Sequence, residues 1–168
     1  DGFVCGCGTY ILYKNEVLFS QTVPFEIGNE LLSDLEKYNI EWLLEGEKTL
    51  YYRNKPYITH IGDFKDEQKY LYPSAYKELE PSKASDLVFD KFCIGIHKNS
   101  DFKSFEAKYS KIFTIIDRGN NFYEIVPANC SKATGMEFLM KHFNVDKKDT
   151  IAIGDSTNDL TMLEFAGT

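Results

Sequence analysis

The stretch TIAIGDSTNDLTML, residues 150–163, decides how this sequence is interpreted. A short apolar run ends at Gly154, and Asp155, Asn158 and Asp159 follow before an apolar helical pattern resumes. The pattern predicts a buried strand whose carboxyl end delivers acidic groups into a crevice, where open α/β sheets usually bind ligands. Such a cluster indicates a Mg²⁺ and phosphate site. The alternative is a polar loop with a helix cap, because Asp and Asn are ordinary turn formers.

A second informative segment opens a helix upstream, where Ser131 is a candidate N-cap and Lys132 follows it. The apolar positions of this helix lie on one face: Met136, Leu139, Met140 and Phe143. The helix dipole disfavours a cation in the first turn, so Lys132 indicates a nearby anion. A solvated surface lysine is the alternative. If the two segments form one site, Lys132 and Asp155 face one cleft within roughly 10 Å of each other.

Together these segments resemble a known family. Residues 123–168 resemble the C-terminal part of the haloacid dehalogenase superfamily, and most of all the Cof-type sugar-phosphate phosphatases, which carry a large α/β cap. Lys132 matches the family's third motif, and residues 154–163 match its fourth. Residues 1–11 resemble the segment just before the cap, although Cys7 stands where the family usually has Asn.

The resemblance implies a fold class and a division of the chain. The fold class is α/β and haloacid dehalogenase-like, with an α+β cap domain inserted in a partial Rossmann-like core. Residues 1–21 would be a core segment leading into the cap, and residues 22–125 the cap itself. Residues 126–168 would be the C-terminal part of the core, with the third and fourth motifs.

The resemblance also implies roles for four residues. Asp155 would be a Mg²⁺ ligand, and Lys132 and Asp159 would be catalytic. Lys132 and Asn158 would bind the phosphate. The family's nucleophile lies in an Asp-x-Asp-Gly-Thr stretch, which together with the second motif should precede Asp1. Since no Asp-x-Asp-Gly occurs in these residues, we expect the chain to be an inactive internal fragment.

The function implied for the parent protein is Mg²⁺-dependent hydrolysis of a small phosphorylated metabolite of the sugar-phosphate class. The reaction would pass through an aspartyl-phosphate, which splits one difficult displacement into two easier ones. Two alternatives stay open. One is phosphoryl transfer to another acceptor, as in the mutases of the superfamily, and the other is a non-catalytic cap or binding module.

Composition narrows the possible partners and compartment. The net charge is −7 and no Lys/Arg cluster stands out, which argues against nucleic-acid binding. No apolar run approaches the ~20 residues needed to cross a bilayer, so we expect no membrane partner. Cys5 and Cys7 would alternate on one face of a strand, either as a metal or redox pair or as two small buried residues. A reducing cytoplasmic location fits these cysteines.

Hydrophobic periodicity and turn residues predict an α+β layer, with helices packed on one face of a mixed or antiparallel sheet. Strands are predicted at residues 10–13 and 17–19, joined by a short hairpin connection at residues 14–16. Further strands are predicted at residues 42–53, with a turn at 45–48, and at residues 91–97, 112–116 and 122–126. Helices are predicted at residues 26–38, 101–109 and between Pro73 and Pro81, with 63–72 irregular or a short helix. Arg118 lies in the turn at residues 117–121, where it could reach a substrate anion or remain solvated.

Overall fold

The computed structural model describes residues 2–53, 55–79 and 87–168. The strands in these ranges are β1 (Gly2–Cys5), β2 (Tyr10–Tyr13), β3 (Glu16–Ser20), β4 (Glu41–Glu45), β5 (Leu50–Arg53), β6 (Tyr76–Leu79), β7 (Lys91–Gly95), β8 (Phe113–Asp117) and β9 (Phe122–Pro127). The α-helices are α1 (Phe25–Lys37), α2 (Ile61–Leu71), α3 (Phe102–Tyr109), α4 (Lys132–Phe143) and α5 (Leu160–Phe165). Short 3-10 turns span Gly6–Gly8, Lys147–Asp149 and Thr157–Asp159.

The described strands form two separate sheets. The first is antiparallel with the order β1-β2-β3, and the second has the order β6-β5-β4-β7-β9-β8. All pairs in the second sheet are antiparallel except β5 and β6, which run parallel. The division of the chain at residues 21/22 and 125/126 stays a prediction, and β9 continues to Pro127, past the second boundary.

The second sheet is packed on both faces. Trp42 and Leu44 of β4 lie in the main core, whereas Leu43 between them packs with Ile61 of α2 and with Cys93. Successive side chains of a strand point to opposite faces, so three consecutive apolar residues require two buried faces. The expectation that helices cover only one face is therefore wrong, because α2 lies on the face opposite the main core.

Several local predictions are confirmed. The β2–β3 hairpin turns at Lys14 and Asn15, which both have positive φ, +48° and +67°, as a two-residue primed turn requires. Helices α1 and α3 form within a residue or so of their predicted limits, and the carboxylate of Asp101 caps α3 by accepting from the backbone N of Ser104. The polar stretch near residue 63 is helical, as α2.

The predicted helix between Pro73 and Pro81 is wrong for the residues that the structure describes there. Residues Tyr76–Leu79 form strand β6, which pairs in parallel with β5 from Leu50 to Arg53. The tertiary pairing supplies hydrogen bonds that a short isolated helix could not match. Pro81 lies outside the described residues.

The predicted buried strand before Gly154 does not form. Ile151 and Ile153 are 73% and 88% exposed. The backbone N of Ala152 donates to the Thr168 carbonyl oxygen at 3.0 Å, and the N of Thr168 donates to the Thr150 carbonyl oxygen at 3.1 Å. These two bonds have the pattern of a parallel strand pair. Because both involve Thr168 alone, they do not form a ladder between two strands.

The first sheet and helix α4 meet at two glycines. Gly8 has a φ of +93°, and a Cβ on it would lie 2.2 Å from the carbonyl oxygen of Ser131. Gly135 in α4 approaches β1 so closely that a Cβ would lie 2.4 Å from Cγ1 of Val4. The start of α4 is therefore held against the Gly6–Gly8 turn by backbone contact.

No helix in the described ranges is long and apolar enough to span a membrane.

Replacing Gly8 by alanine tests this backbone contact. Gly8→Ala is expected to lower the free energy of unfolding by roughly 2–4 kcal/mol, the sum of left-handed strain and overpacking. Gly119→Ala is the matched control, since Gly119 also has a positive φ, +84°, but no described atom lies within 4 Å of its Cβ position. Gly119→Ala should lower the free energy of unfolding by only about 1–2 kcal/mol, because it adds left-handed strain without overpacking. Equal losses in urea denaturation would show that Ser131 does not resist the new methyl group.

Asp90 gives a prediction for the pH dependence of stability. It is 6% exposed, its Oδ1 has no hydrogen-bond partner among the described residues, and burial raises its pKa from 3.8 to about 6. The folded chain then keeps a proton that the unfolded chain loses between pH ~4 and ~6, so stability should fall as the pH rises through this window. Asp90→Asn should remove that fall in thermal unfolding scans, and Glu164→Gln, an exposed control, should retain it.

Candidate active site

Helix α4 holds Lys132 at its first position by a reciprocal cap. The Ser131 hydroxyl accepts from the Thr134 backbone N at 3.1 Å, and the Thr134 hydroxyl accepts from the Ser131 backbone N at 2.9 Å. This arrangement satisfies donors that the first helical turn leaves without intrahelical partners. The predicted N-cap is confirmed, and it fixes the direction in which the Lys132 side chain leaves the helix.

Asp159 organises the loop that follows Gly154. Its Oδ2 accepts from the backbone N atoms of Asp155 and Ser156, at 3.2 and 3.1 Å, and lies 3.1 Å from the Ser156 hydroxyl oxygen. Gly154 allows this turn, because a Cβ there would lie 2.4 Å from the Cβ of Asp159. The loop is therefore wrapped around a single buried carboxylate.

The Lys132 ammonium lies on that carboxylate. It contacts Oδ1 of Asp159 and lies 3.3 Å from Oδ1 of Asn158. The hydrogen bond from Lys132, with those from the Ser156 and Asp155 backbone, lowers the pKa of Asp159 to about 2. An anion beside Lys132 was expected from its place in the helix, and this anion is Asp159. The structure thus brings together three of the predicted site residues, while their catalytic roles stay predictions.

Asp155, the fourth predicted residue, lies in the same loop and is exposed. Its backbone N donates a hydrogen bond to the Asp159 carboxylate, which Lys132 also contacts. Lys132 and Asp155 therefore lie on the same side of the molecule, next to one carboxylate. Its side chain makes no hydrogen bond or ion pair within the described ranges.

A free, exposed carboxylate is chemically suited to one position in a Mg²⁺ site. Mg²⁺ takes oxygen ligands, keeps several waters and often binds through only one or two carboxylates plus phosphate oxygens. The described residues contain no group of three or more His, Cys, Asp or Glu side chains placed to hold a metal. Asp155 could therefore supply one ligand, with the others coming from water, phosphate or residues outside these ranges.

Sequence reasoning missed Glu124, a buried carboxylate on β9 that is 5% exposed. Its donors come from four segments: Lys91 Nζ at 2.9 Å, Arg118 Nη1 at 2.8 Å, Asn158 Nδ2 at 2.9 Å and Cys7 Sγ at 3.2 Å. Burial would raise the pKa of Glu124, but Lys91, through its charge and hydrogen bond, and the hydrogen bonds from Cys7 and Asn158 lower it to about 2. Glu124 is therefore the junction between the second sheet and the loop.

One signal in the sequence could have pointed to Glu124. It stands between Tyr123 and Ile125 in an otherwise apolar strand, and a charged residue in such a strand is rarely buried unless it is paired. Its partners could not be inferred, because they lie 6 to 117 residues away along the chain.

Around Glu124, the expected positions of two other groups change. Arg118 lies at the surface with its side chain 28% exposed, and its guanidinium is paired with Glu124. Cys5 is exposed and Cys7 is buried in the 3-10 turn with a φ of +54°, so they do not share a strand face as expected. Burial, followed by the charge of Glu124, raises the pKa of Cys7 to about 12, which keeps its thiol protonated.

A second contact also joins the loop to the second sheet. The hydroxyl of Thr157 donates to the carbonyl oxygen of Asp117, at the end of β8, at 2.9 Å. Together with the bond between Asn158 and Glu124, it attaches consecutive loop residues to neighbouring strands of one sheet.

Comparison with known proteins shows the family to which this chain belongs. A family model described as haloacid dehalogenase-like hydrolase matches residues 1–168. The putative phosphatase YxeH of Bacillus subtilis (strain 168) is 34% identical over 170 residues, which cover 95% of this chain and 63% of YxeH. The putative phosphatase YkrA of the same organism is 24% identical over 170 residues, covering 99% of this chain and 62% of YkrA.

Solved structures show the same fold. The HAD subclass IIB sugar phosphatase BT4131 superposes with a TM-score of 0.77 at 18% identity, covering 99% of this chain and 62% of that one. SMU.1108c from Streptococcus mutans UA159 gives a TM-score of 0.76 at 22% identity, covering 98% and 62%. The chain therefore spans less than two thirds of the length of these relatives. The predicted fold class is confirmed, and the chain belongs to the haloacid dehalogenase-like hydrolases.

Proposed function

We propose that the full-length protein is a Mg²⁺-dependent phosphatase acting on a small phosphorylated metabolite of the sugar-phosphate class. The observation that carries this proposal is the cluster of Lys132, Asn158 and Asp159 beside the exposed carboxylate of Asp155. The names of similar proteins support it, since BT4131 is a sugar phosphatase and YxeH a putative phosphatase. Over 62 residues the chain is also 37% identical to the 5-amino-6-(5-phospho-D-ribitylamino)uracil phosphatase YwtE of Bacillus subtilis (strain 168).

In this proposal Lys132 handles the charge of the phosphoryl group. Its side chain is 29% exposed and therefore only partly covered, while its ammonium contacts Asp159. A fixed cation of this kind stabilises negative charge that develops on a transferring phosphoryl group. Asn158 is 3.3 Å from the same ammonium and would help to bind the phosphate.

Asp159 acts within the protein rather than on the substrate. Its buried carboxylate is occupied by Lys132 and by the backbone of residues 155 and 156, so it holds the Lys132 side chain and the loop together. Because its pKa is lowered to about 2, it stays ionised at neutral pH and is a poor general acid there. Its catalytic role would thus be to orient Lys132.

The metal would be held in part by Asp155. When bound there, Mg²⁺ would offset the charge of the phosphate, which otherwise approaches a chain with a net charge of −7. The remaining residues of the loop would position Asp155 through the backbone hydrogen bond from its N to Asp159.

The nucleophile would come from outside these residues. The family's Asp-x-Asp-Gly-Thr stretch does not occur in the 168 residues, and the carboxylates of the site, Glu124, Asp155 and Asp159, are paired or assigned to the metal. Attack by an aspartate carboxylate on phosphorus would break the P–O ester bond, release the alcohol and form an aspartyl-phosphate, which water would then hydrolyse to inorganic phosphate and the free aspartate. On this basis residues 1–168 alone should be inactive.

The second sheet and its helices would act as the cap, closing over the centre, excluding water and selecting the substrate. The contacts of Thr157 and Asn158 with β8 and β9 support this role, because they join the loop to that sheet. We also propose a reducing cytoplasmic location, since all four cysteines are free.

The test is phosphate release by the full-length protein from a panel of sugar phosphates, with and without Mg²⁺. Lys132→Ala should lower turnover roughly 10²- to 10³-fold, as the loss of a comparable charge-stabilising donor does. Asp155→Ala should abolish most turnover and raise the Mg²⁺ concentration needed for half-maximal activity. Lys141→Ala is the control, because Lys141 lies at the other end of α4 and pairs with Glu137 on the surface.

Three outcomes would contradict the proposal. Robust activity from residues 1–168 alone would show that no external nucleophile is needed, and full activity without metal would remove the role of Asp155. Transfer of phosphate to a second sugar, with little release to water, would favour the phosphomutase alternative. A full-length protein without turnover on any ester of the panel would favour a binding module.

Arg118 gives a separate prediction on substrate preference. It lies in the β8–β9 turn, is 28% exposed in its side chain and contacts Glu124 beside the loop. Arg118→Ala should change the ranking of phosphate esters by kcat/KM and leave the Mg²⁺ requirement intact. The exposed Lys111→Ala variant serves as the control for loss of one positive charge. An unchanged ranking in Arg118→Ala would remove Arg118 from substrate selection.

A further inference from the structure

The two ends of the Asn158 amide have different partners. Its Nδ2 donates to Oε2 of Glu124 at 2.9 Å. Its Oδ1 accepts from the Ser156 hydroxyl at 2.5 Å and lies 3.3 Å from the Lys132 ammonium. An amide NH₂ group only donates, whereas its carbonyl oxygen only accepts. The group that holds one end therefore decides which end faces Lys132.

Glu124 is well suited to hold the NH₂ end. An ionised carboxylate is an acceptor only, and Glu124 stays ionised because its pKa is about 2. Its Oε1 is occupied by Lys91 and Cys7, and its Oε2 by Arg118 and Asn158. Four donors from four segments fix the carboxylate in place, and it presents only an acceptor to Asn158.

We propose that Glu124 is a positioning residue for the phosphate-handling centre, which turns the carbonyl oxygen of Asn158 toward Lys132. Glu124 acts through Asn158 and does not contact the substrate. This inference rests on the proposed function, because it assigns Glu124 to the reaction that the Lys132 cluster would perform. It also makes the second sheet, through β9, a part of the centre.

The isosteric change Glu124→Gln tests the proposal by creating a conflict between donors. In place of two acceptor oxygens, the introduced glutamine has one oxygen and one NH₂ group. Donors lie on both sides of it: Lys91 and Cys7 on one side, Arg118 and Asn158 on the other. If that oxygen faces the Lys91 ammonium, the new NH₂ group faces the NH₂ of Asn158, and the Asn158 amide must rotate. The NH₂ of Asn158 would then face the ammonium of Lys132, donor against donor. No large change in volume accompanies this conflict.

The kinetic experiment uses the full-length protein and the same panel of phosphate esters. Glu124→Gln should lower kcat about 10- to 100-fold, the usual range for a residue that orients a ligand-binding group. The loss should be similar for every ester, and KM should change by less than about 3-fold. A purely structural role would instead lower the unfolding temperature and leave kcat intact below it. A kcat within about 2-fold of the unsubstituted protein would overturn the proposal.

Glu45→Gln is the matched control. Glu45 accepts from the same Lys91 ammonium at 2.7 Å and from Cys93, but it does not contact Asn158. The variant therefore removes one carboxylate partner of Lys91, as Glu124→Gln does, without disturbing the Asn158 amide. Its kcat should remain within about 2-fold of the unsubstituted protein. Equal losses in both variants would mean that only the charge around Lys91 matters.

A double substitution gives a test by rescue. When Glu124→Gln is combined with Asn158→Asp, the NH₂ of the introduced glutamine can donate to one oxygen of the introduced aspartate, whose other oxygen can accept from Lys132. Donor and acceptor are thereby exchanged between residues 124 and 158, and Arg118 faces the introduced NH₂ group in the single and the double variant alike, so its loss cancels in the comparison. The double variant should be at least about 10-fold more active than the product of the two single losses predicts. Losses that simply multiply would overturn the proposal.

A spectroscopic readout separates this inference from the proposed function. In ¹H–¹⁵N spectra of the full-length protein, the Asn158 side-chain amide is identified by its disappearance in Asn158→Asp. Its resonance should shift in Glu124→Gln and remain in place in Glu45→Gln. An unmoved resonance in Glu124→Gln would refute the positioning role, whether or not the protein releases phosphate. Absence of turnover in the unsubstituted protein would instead refute the proposed function.

Discussion

The contact between the Lys132 ammonium and the Asp159 carboxylate is the interaction on which the candidate site depends. It joins the first residue of α4 to a loop that has no strand directly before it in the described part of the chain. The same carboxylate accepts two further hydrogen bonds, from the backbone N atoms of residues 155 and 156. Without Asp159, the loop would lose its internal anchor and its ion pair with the helix together. The Gly8–Ser131 backbone contact then fixes that helix against the first sheet.

A second carboxylate, Glu124, extends this network to the other sheet. A buried ion pair is a weak source of stability, because desolvation opposes the attraction between the charges. Its better-attested use is to select one arrangement among several of similar energy. Glu124 is placed to select one arrangement in this way, because each of its four donors comes from a different segment of the chain. These donors are Cys7, Lys91, Arg118 and Asn158. It therefore specifies how the loop meets β9 rather than adding much to the free energy of unfolding.

Sequence alone predicted those parts of the molecule whose signals are local. The β2–β3 turn, the caps of α3 and α4, and strands β7 to β9 each follow from neighbouring residues, and they form as expected. Strand β6 was missed because it forms through its pairing with β5, which is more than 20 residues away and leaves no local signal in the sequence. The strand before Gly154 was predicted but does not form. Its apolar residues favour a strand, but a strand also needs a neighbouring strand to pair with, and in the described residues this segment bonds only to Thr168. Glu124 was missed for a related reason, because its partners are distant in sequence.

The charges of the site bear on the metal of the proposed function. In the site, Arg118 and Lys132 are paired with Glu124 and Asp159, and Lys91, which also contacts Glu124, is balanced by Glu45 outside the site. Asp155 adds a further negative charge that no cation of the described ranges pairs. A phosphate dianion approaching this site would meet a net negative charge, on a chain that is itself acidic. Under the proposed function, a divalent cation at Asp155 would offset this negative charge, since Lys132 is already engaged by Asp159.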